Sequence, residues 1–228
     1  MPTMLVTGAN RGIGFEFVRQ YAAEGWTVHA GVRNPAASSA LQALGLERLT
    51  IHPLDVDNRD QIKALAAKLK GEPIDLLINN AGLWAGDDEK YGRFSDEQWM
   101  AQFNTHVFGT MAMCEAFVDN VGASDNKLMI NISSGNGSLG WAIGVGDYPY
   151  DTTKAALNMV GRLLAVRLKD RGITVVSMTP GNVATDMSGP GADLTPEESI
   201  DCMRRVIAGL DQSHSGAFMR YNGDIAPW

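Results

Sequence analysis

The chain has 228 residues, 45% hydrophobic and 20% charged, with 19 basic against 26 acidic side chains and a formal charge of −7. That balance suits a globular protein with one sizeable core and excludes disordered and fibrous chains. It also argues against nucleic acid as the main partner, which needs clustered Lys and Arg to neutralise phosphates. No window is apolar for the roughly eighteen residues a membrane span needs. Met1–Val6 is too short for the apolar core of a secretory leader, so a soluble cytoplasmic protein is expected. Cys114 and Cys202 fit no ligand spacing and read as packed thiols of a reducing compartment.

Short apolar runs alternate with helical periodicity from end to end. Met4–Thr7 reads as a strand, and Gly12–Glu24 as a helix through Ile13, Phe17, Val18 and Tyr21. Thr27–Gly31 and Leu49–His52 are two further strands. Ile62, Leu65, Ala66 and Leu69 mark a helix that Gly71 closes and Pro73 forbids from continuing. Ile74–Ile78 and Leu128–Ile132 are strands flanking a helical stretch near Ser95–Val118. A long helix follows over about Tyr150–Lys169, then a strand at Ile173–Met178. Thr195-Pro196-Glu197-Glu198 opens the last helix, with Thr195 as N-cap, Pro196 at N1 and Glu198 as the return arm of a capping box.

This alternation predicts an α/β fold, a single-domain Rossmann-type doubly wound parallel sheet over residues 1–228 with helices on both faces. All-apolar strands such as Leu76-Leu77-Ile78 fit burial on both sides.

Thr7-Gly8-Ala9-Asn10-Arg11-Gly12-Ile13-Gly14 falls between the first strand and the first helix. Glycines there let backbone approach a pyrophosphate, while the helix N-terminus supplies N–H donors and a positive dipole end. The spacing departs from GxGxxG, so this turn alone could equally be structural. Tyr150 and Lys154, four residues apart on a helix, share one face. An ammonium about 4 Å from a phenol favours the phenolate by up to roughly 4 kcal/mol at an effective dielectric of about 20, about three pK units. A tyrosine so tuned works as a general acid or base near neutrality. Read alone, the pair could equally be an incidental one on the surface.

TGANRGIG at 7–14, Asn79-Asn80-Ala81-Gly82, Tyr150-Asp151-Thr152-Thr153-Lys154 and Pro180-Gly181-Asn182-Val183-Ala184-Thr185 come in the order of the short-chain dehydrogenase/reductase family. The chain resembles that family along essentially its whole length. Thr185-Asp186-Met187, Thr195–Ser199, Tyr221-Asn222-Gly223 and Pro227-Trp228 resemble its C-factor-like and sniffer-like carbonyl-reductase branch.

The resemblance implies a catalytic set of Asn104, Ser134, Tyr150 and Lys154. A serine at the end of the fifth strand would hold the substrate carbonyl, with Ser133 the alternative to Ser134. Asn104, in Phe103-Asn104-Thr105-His106, would kink its helix and hold a water joining Lys154 to a proton relay. His106 would point elsewhere and pack. The cofactor would meet Gly8, Asn10, Arg11, Gly12, Ile13 and Gly14, then Asp55 and Val56, then Asn80, Ala81 and Gly82, with Tyr150, Lys154, Pro180, Gly181, Val183 and Thr185 completing the site.

Cofactor choice is read after the second strand. An NAD enzyme wants an acidic side chain there for the ribose 2′-OH, but Arg33 and Asn34 stand in its place, with Arg11 nearby in the glycine turn. NADP(H) is therefore expected. The substrate would be a small carbonyl or alcohol compound; Trp84, Trp141, Ile143, Tyr148 and Met187 either border it or pack in the core. The histidines form no metal set, and relatives of this kind are usually homodimers or homotetramers. A dinucleotide-binding regulatory protein with little turnover is the rival reading. An extended-type epimerase is disfavoured by the short C-terminal part.

Overall fold

The computed structural model describes residues 1–84, 91–141, 146–188 and 191–228. Seven parallel strands form one sheet in the order β3-β2-β1-β4-β5-β6-β7. They are β1 (Thr3–Thr7), β2 (Thr27–Val32), β3 (Leu49–Pro53), β4 (Leu76–Asn79), β5 (Leu128–Ile132), β6 (Thr174–Thr179) and β7 (Phe218–Arg220). Val6 pairs with Ala30 on one side and Ile78 on the other, so strand order reverses about β1. In open α/β sheets that reversal opens a crevice beyond the strand C-termini, where ligands bind.

Helices α1 (Gly12–Ala23), α2 (Ser39–Ala43), α3 (Arg59–Lys68), α4 (Asp96–Phe103), α5 (Thr110–Gly122), α6 (Tyr148–Leu168) and α7 (Pro196–Ala208) cover the sheet. Phe17, Val18 and Tyr21 of α1 and Ile200, Met203 and Ile207 of α7 bury one face. Ile62 and Leu65 of α3, Phe117 and Val121 of α5, and Leu164 and Leu168 of α6 bury the other. The central strands are inaccessible on both sides, which is why their sequences do not alternate. No described helix is long and apolar enough to cross a membrane.

The last helix begins as its sequence demands: Glu198 N–H donates to the Thr195 hydroxyl (3.2 Å), while the Glu198 carboxylate accepts from Thr195 N–H (2.9 Å). Two features differ from expectation. The short edge strand β7 and helix α2 are additional. The stretch near Ser95–Val118 is not one helix but α4, a π-helical segment over Asn104–Gly109, and α5. π-segments of this kind are rare and gather at functional sites.

A polar string runs from Lys68 at the end of α3 through the buried His52 of β3 and His29 of β2 to the partly exposed Glu72. His29 Nδ1 is 2.9 Å from His52 Nε2, His29 Nε2 is 2.8 Å from Glu72 Oε1, and Lys68 Nζ is 3.5 Å from His52 Nδ1. Donation running from Lys68 through His52 and His29 to Glu72 satisfies both rings in their neutral forms. Burial first, then His29 and the Lys68 ammonium, lowers the His52 pKa from 6.5 to about 4. An unfolded chain takes up this proton as pH falls below 6.5, whereas the folded chain does so only near 4. Stability is therefore complete above that window and declines through it, by at most about 3 kcal/mol. Urea midpoints measured between about pH 7 and pH 4.5 should fall accordingly, and His52→Gln should flatten the dependence.

Candidate active site

A cleft of about 520 Å³ opens at the C-terminal ends of the central strands. Its floor is the turn from β1 to α1, lined by Gly8, Asn10, Arg11, Gly12, Ile13 and Gly14. A Cβ on Gly14 would stand 2.3 Å from the Gly8 carbonyl oxygen, so only glycine permits this approach. Arg11 occupies the α1 N-cap, no side chain caps the helix, and its first turn carries no acidic residue. Its leading N–H groups and dipole are thus directed to an anion, and a diphosphate fits them.

The loop after β4 is fastened to this turn. Asn80 N–H and Ala81 N–H both donate to the Thr7 hydroxyl (3.0 Å each), and Asn80 Nδ2 donates to the Thr7 carbonyl (2.9 Å). Asn80, Ala81 and Gly82 then line the cleft.

Arg33, Leu54, Asp55, Val56 and Asp57 form one end of the cleft. Asp57 accepts from the Thr105 hydroxyl at 3.0 and 2.9 Å. Burial raises its pKa, against the lowering effects of this hydrogen bond and of Arg33. Across the mouth, Arg11 Nη1 meets Asp186 Oδ2 at 3.2 Å, both side chains largely exposed. Asn34 lies outside the cleft lining, and its Oδ1 accepts from Ala36 and Ala37 N–H, capping a short turn. Gly181 and Val183 are likewise behind the wall, Gly181 against Leu194 and Tyr221 and Val183 bridged to Leu194, while Pro180 and Thr185 reach the cleft.

At the other end stand Tyr150 and Lys154. Lys154 is buried, its Nζ donates to the Ile132 carbonyl (3.0 Å), and it lies 5.5 Å from the centroid of the Tyr150 ring. Burial lowers its pKa from 10.5 to about 8. The turn after β5 is docked on the same helix. Gly137 packs so closely that a Cβ would lie 2.7 Å from the Lys154 carbonyl carbon. Asn158 Nδ2 donates to Gly137 O (3.1 Å), and Asn136 Nδ2 to Asp151 Oδ1 (2.8 Å).

The two serines are distinguished by access. Ser133 belongs to the lining residues, yet its Oγ is sealed from solvent and makes no hydrogen bond among the described residues. Ser134 lies outside the lining but is half-buried, and its Oγ accepts from Asn136 N–H (3.2 Å), leaving its own hydrogen to donate.

Asn104 is not at the centre. It is exposed and outside the cleft lining, while His106 is completely buried. Two residues along a helix turn a side chain to nearly the opposite face, so the two cannot share a role. His106 stacks edge-on against Tyr150, centroids 5.6 Å apart. It accepts from Leu83 N–H at Nε2 (3.1 Å), and its Nδ1 is 2.9 Å from the Thr153 hydroxyl. Burial, then the Lys154 charge, lowers its pKa to about 2.

Of the expected substrate wall, Trp84 and Met187 line the cleft. Trp84 Nε1 donates to Asp147 Oδ2 (3.0 Å) across its mouth. Tyr148 instead packs with Tyr91 and Phe94, and Trp141 with Phe218; Ile143 lies outside the described residues. Leu54, Asp57, Leu83, Thr105, Ile132 and Asp186 also line the cleft and escaped the sequence reading. Each except Ile132, which is beside the alternative serine Ser133, adjoins a residue already named for the site: Leu54 and Asp57 beside Asp55-Val56, Leu83 beside Gly82, Thr105 beside Asn104 and Asp186 beside Thr185. Among the described residues no cluster of His, Cys, Asp and Glu could hold a metal ion.

A family model described as short chain dehydrogenase matches residues 2–193. The NADPH-bound carbonyl reductase from chicken fatty liver superposes with a TM-score of 0.92 at 33% identity, covering 100% of this chain and 99% of that one. Carbonyl reductase Sniffer of Drosophila melanogaster superposes with a TM-score of 0.93 at 27% identity over 100% of both chains. The C-signal of Myxococcus xanthus is 34% identical over 170 residues, 73% of this chain and 100% of that protein. The chain belongs to the short-chain dehydrogenase family and is an NAD(P)-dependent oxidoreductase.

Proposed function

We propose that this protein is an NADP(H)-dependent carbonyl reductase that converts a small ketone or aldehyde to its alcohol. The observation that carries this reading is the ammonium of Lys154, buried beside Tyr150 at the end of a dinucleotide-sized cleft. Binding alone needs no proton donor, and a buried charge held for no purpose is costly.

When bound, the nicotinamide supplies the hydride. Ser134 donates a hydrogen bond to the carbonyl oxygen, which polarises it, and Tyr150 delivers a proton to the same oxygen as negative charge develops there. Lys154 stabilises the resulting phenolate. Asn80, Ala81 and the α1 N-terminus hold the dinucleotide in register. At the other end, Arg33 and Arg11 offer guanidinium groups to a 2′-phosphate, where an acidic side chain would instead accept from a ribose hydroxyl. The Arg11–Asp186 pair is exposed, and a phosphate competes for Arg11 with little loss. The exposed stripe Met159, Leu163 and Val166 on α6 suits a homodimer or homotetramer, as relatives of this kind form.

Three outcomes are expected. Fluorescence titration should give tighter binding of NADPH than NADH, and Arg33→Asp should reverse the order; equal affinities in the wild type would remove the basis for NADP(H). Tyr150→Phe should leave NADPH affinity within a few fold while reduction of a carbonyl such as 4-nitrobenzaldehyde falls about 10²–10⁴-fold. Ser134→Ala should lower kcat by about 10²-fold, as expected for loss of a donor to the developing oxyanion, and Ser133→Ala should have little effect. The similarity to the C-signal favours a regulatory binding protein as a second reading. A wild type inert towards a broad carbonyl panel yet binding NADPH tightly would favour it.

A further inference from the structure

His106 is a completely buried ring edge-on against Tyr150, the proposed proton donor, with no part in the proton transfer itself. It bridges two separate pieces of chain: the loop after β4 through Leu83, and the first turns of α6 through Thr153 and the ring of Tyr150. Because Leu83 N–H can only donate, Nε2 carries a lone pair and the ring proton sits on Nδ1, aimed at the Thr153 oxygen. Thr153 in turn donates to the carbonyls of Pro149 and Tyr150, at 2.8 and 2.9 Å. One neutral tautomer is thereby fixed. A Cβ placed on Gly82 would be 3.3 Å from His106 Nε2 and 3.7 Å from Lys154 Nζ, so the imidazole and the ammonium flank the same strip of backbone.

Resting on the reading of Tyr150 as proton donor, we propose that His106 is the positioning residue of the Tyr150–Lys154 pair, a ring locked between Leu83 and Thr153 that fixes the phenol against the ammonium. A second cation here would compete with Lys154 for the phenolate; a neutral ring fills the space, excludes water and adds no charge. Lys154 and Tyr150 are the titratable groups facing it, for Leu83, Gly82 and Thr153 carry none. Removing the lock lets the phenol swing and admits water beside the ammonium, so the coupling between the two weakens and the tyrosine becomes less acidic.

The test reads Tyr150 itself, as the 295 nm tyrosinate titration of each protein minus that of its Tyr150→Phe counterpart. His106→Leu keeps comparable volume but loses both hydrogen bonds. It should raise the Tyr150 midpoint by one unit or more and lower kcat for NADPH-dependent reduction of 4-nitrobenzaldehyde at least tenfold, with KM for NADPH within threefold. His106→Gln, which can still accept from Leu83 N–H, should recover at least half of the shift. Should His106→Leu not fold, Thr153→Val removes one anchor alone and should shift the midpoint in the same direction. An unmoved midpoint in the folded Leu variant, or in Thr153→Val where Leu does not fold, overturns the inference, as do equal shifts in the Leu and Gln variants. A shifted midpoint in a protein whose wild type reduces no carbonyl would sink the proposed function and leave the positioning role standing.

Discussion

The buried ammonium of Lys154 is the constraint around which the rest is arranged. Among the described residues no carboxylate pairs with it, and the partner its Nζ is seen to use is the carbonyl of Ile132 at the end of β5. Leaving a charge so poorly compensated is expensive unless something chargeable shares its site. Tyr150 is that group, one helical turn away and with its ring 5.5 Å from the nitrogen. Burial destabilises the ammonium, and a neighbouring phenolate is what relieves it. The strain in one residue is thus the acidity of the other.

Holding such a pair requires a rigid wall, and the packing supplies it. The turn after β5 lies directly on α6 through Gly137, with Asn158 and the Asn136–Asp151 bond as fastenings. Ser134, Tyr150 and Lys154 therefore belong to one unit. On the opposite side, the Thr7 hydroxyl accepts from two successive N–H groups of the Asn80-Ala81 loop and ties the anion-binding turn to it. The cleft lies where β1 and β4 diverge, so its position follows from strand order, whereas its chemistry depends on these few bonds.

The sheet was legible because its strands are buried on both faces and read as apolar runs, and because Thr195 and Glu198 spell out a cap. β7 was not: three residues at an edge carry too short a pattern to register. The glycine turn and the Tyr150–Lys154 spacing were visible locally, but each alone left a structural reading open, and only their order along the chain with the other motifs gave them a role. A kink was expected at Asn104, where the winding changes, but its π-helical form over Asn104–Gly109 was not legible. Without that winding the face turned towards Tyr150 cannot be assigned: Asn104 is exposed, and the buried ring beside Tyr150 is His106. The Asn34 side chain serves the backbone two and three residues on, a local use that a residue-type argument does not reveal. Ser133 and Ser134 are alike in sequence and differ only in which hydroxyl the turn leaves accessible.

The central claim is that Lys154 is an ammonium held in a dry site and is easily neutralised. Isotope labelling of lysine side chains, with the Lys154 resonance assigned by its loss in Lys154→Met, measures that directly. A midpoint near 8, well below the ordinary value of 10.5, is expected. A Lys154 that still titrates at the ordinary value when Tyr150 is replaced by Phe, so that no phenolate can raise it, would show a solvated amine and contradict a desolvated ammonium.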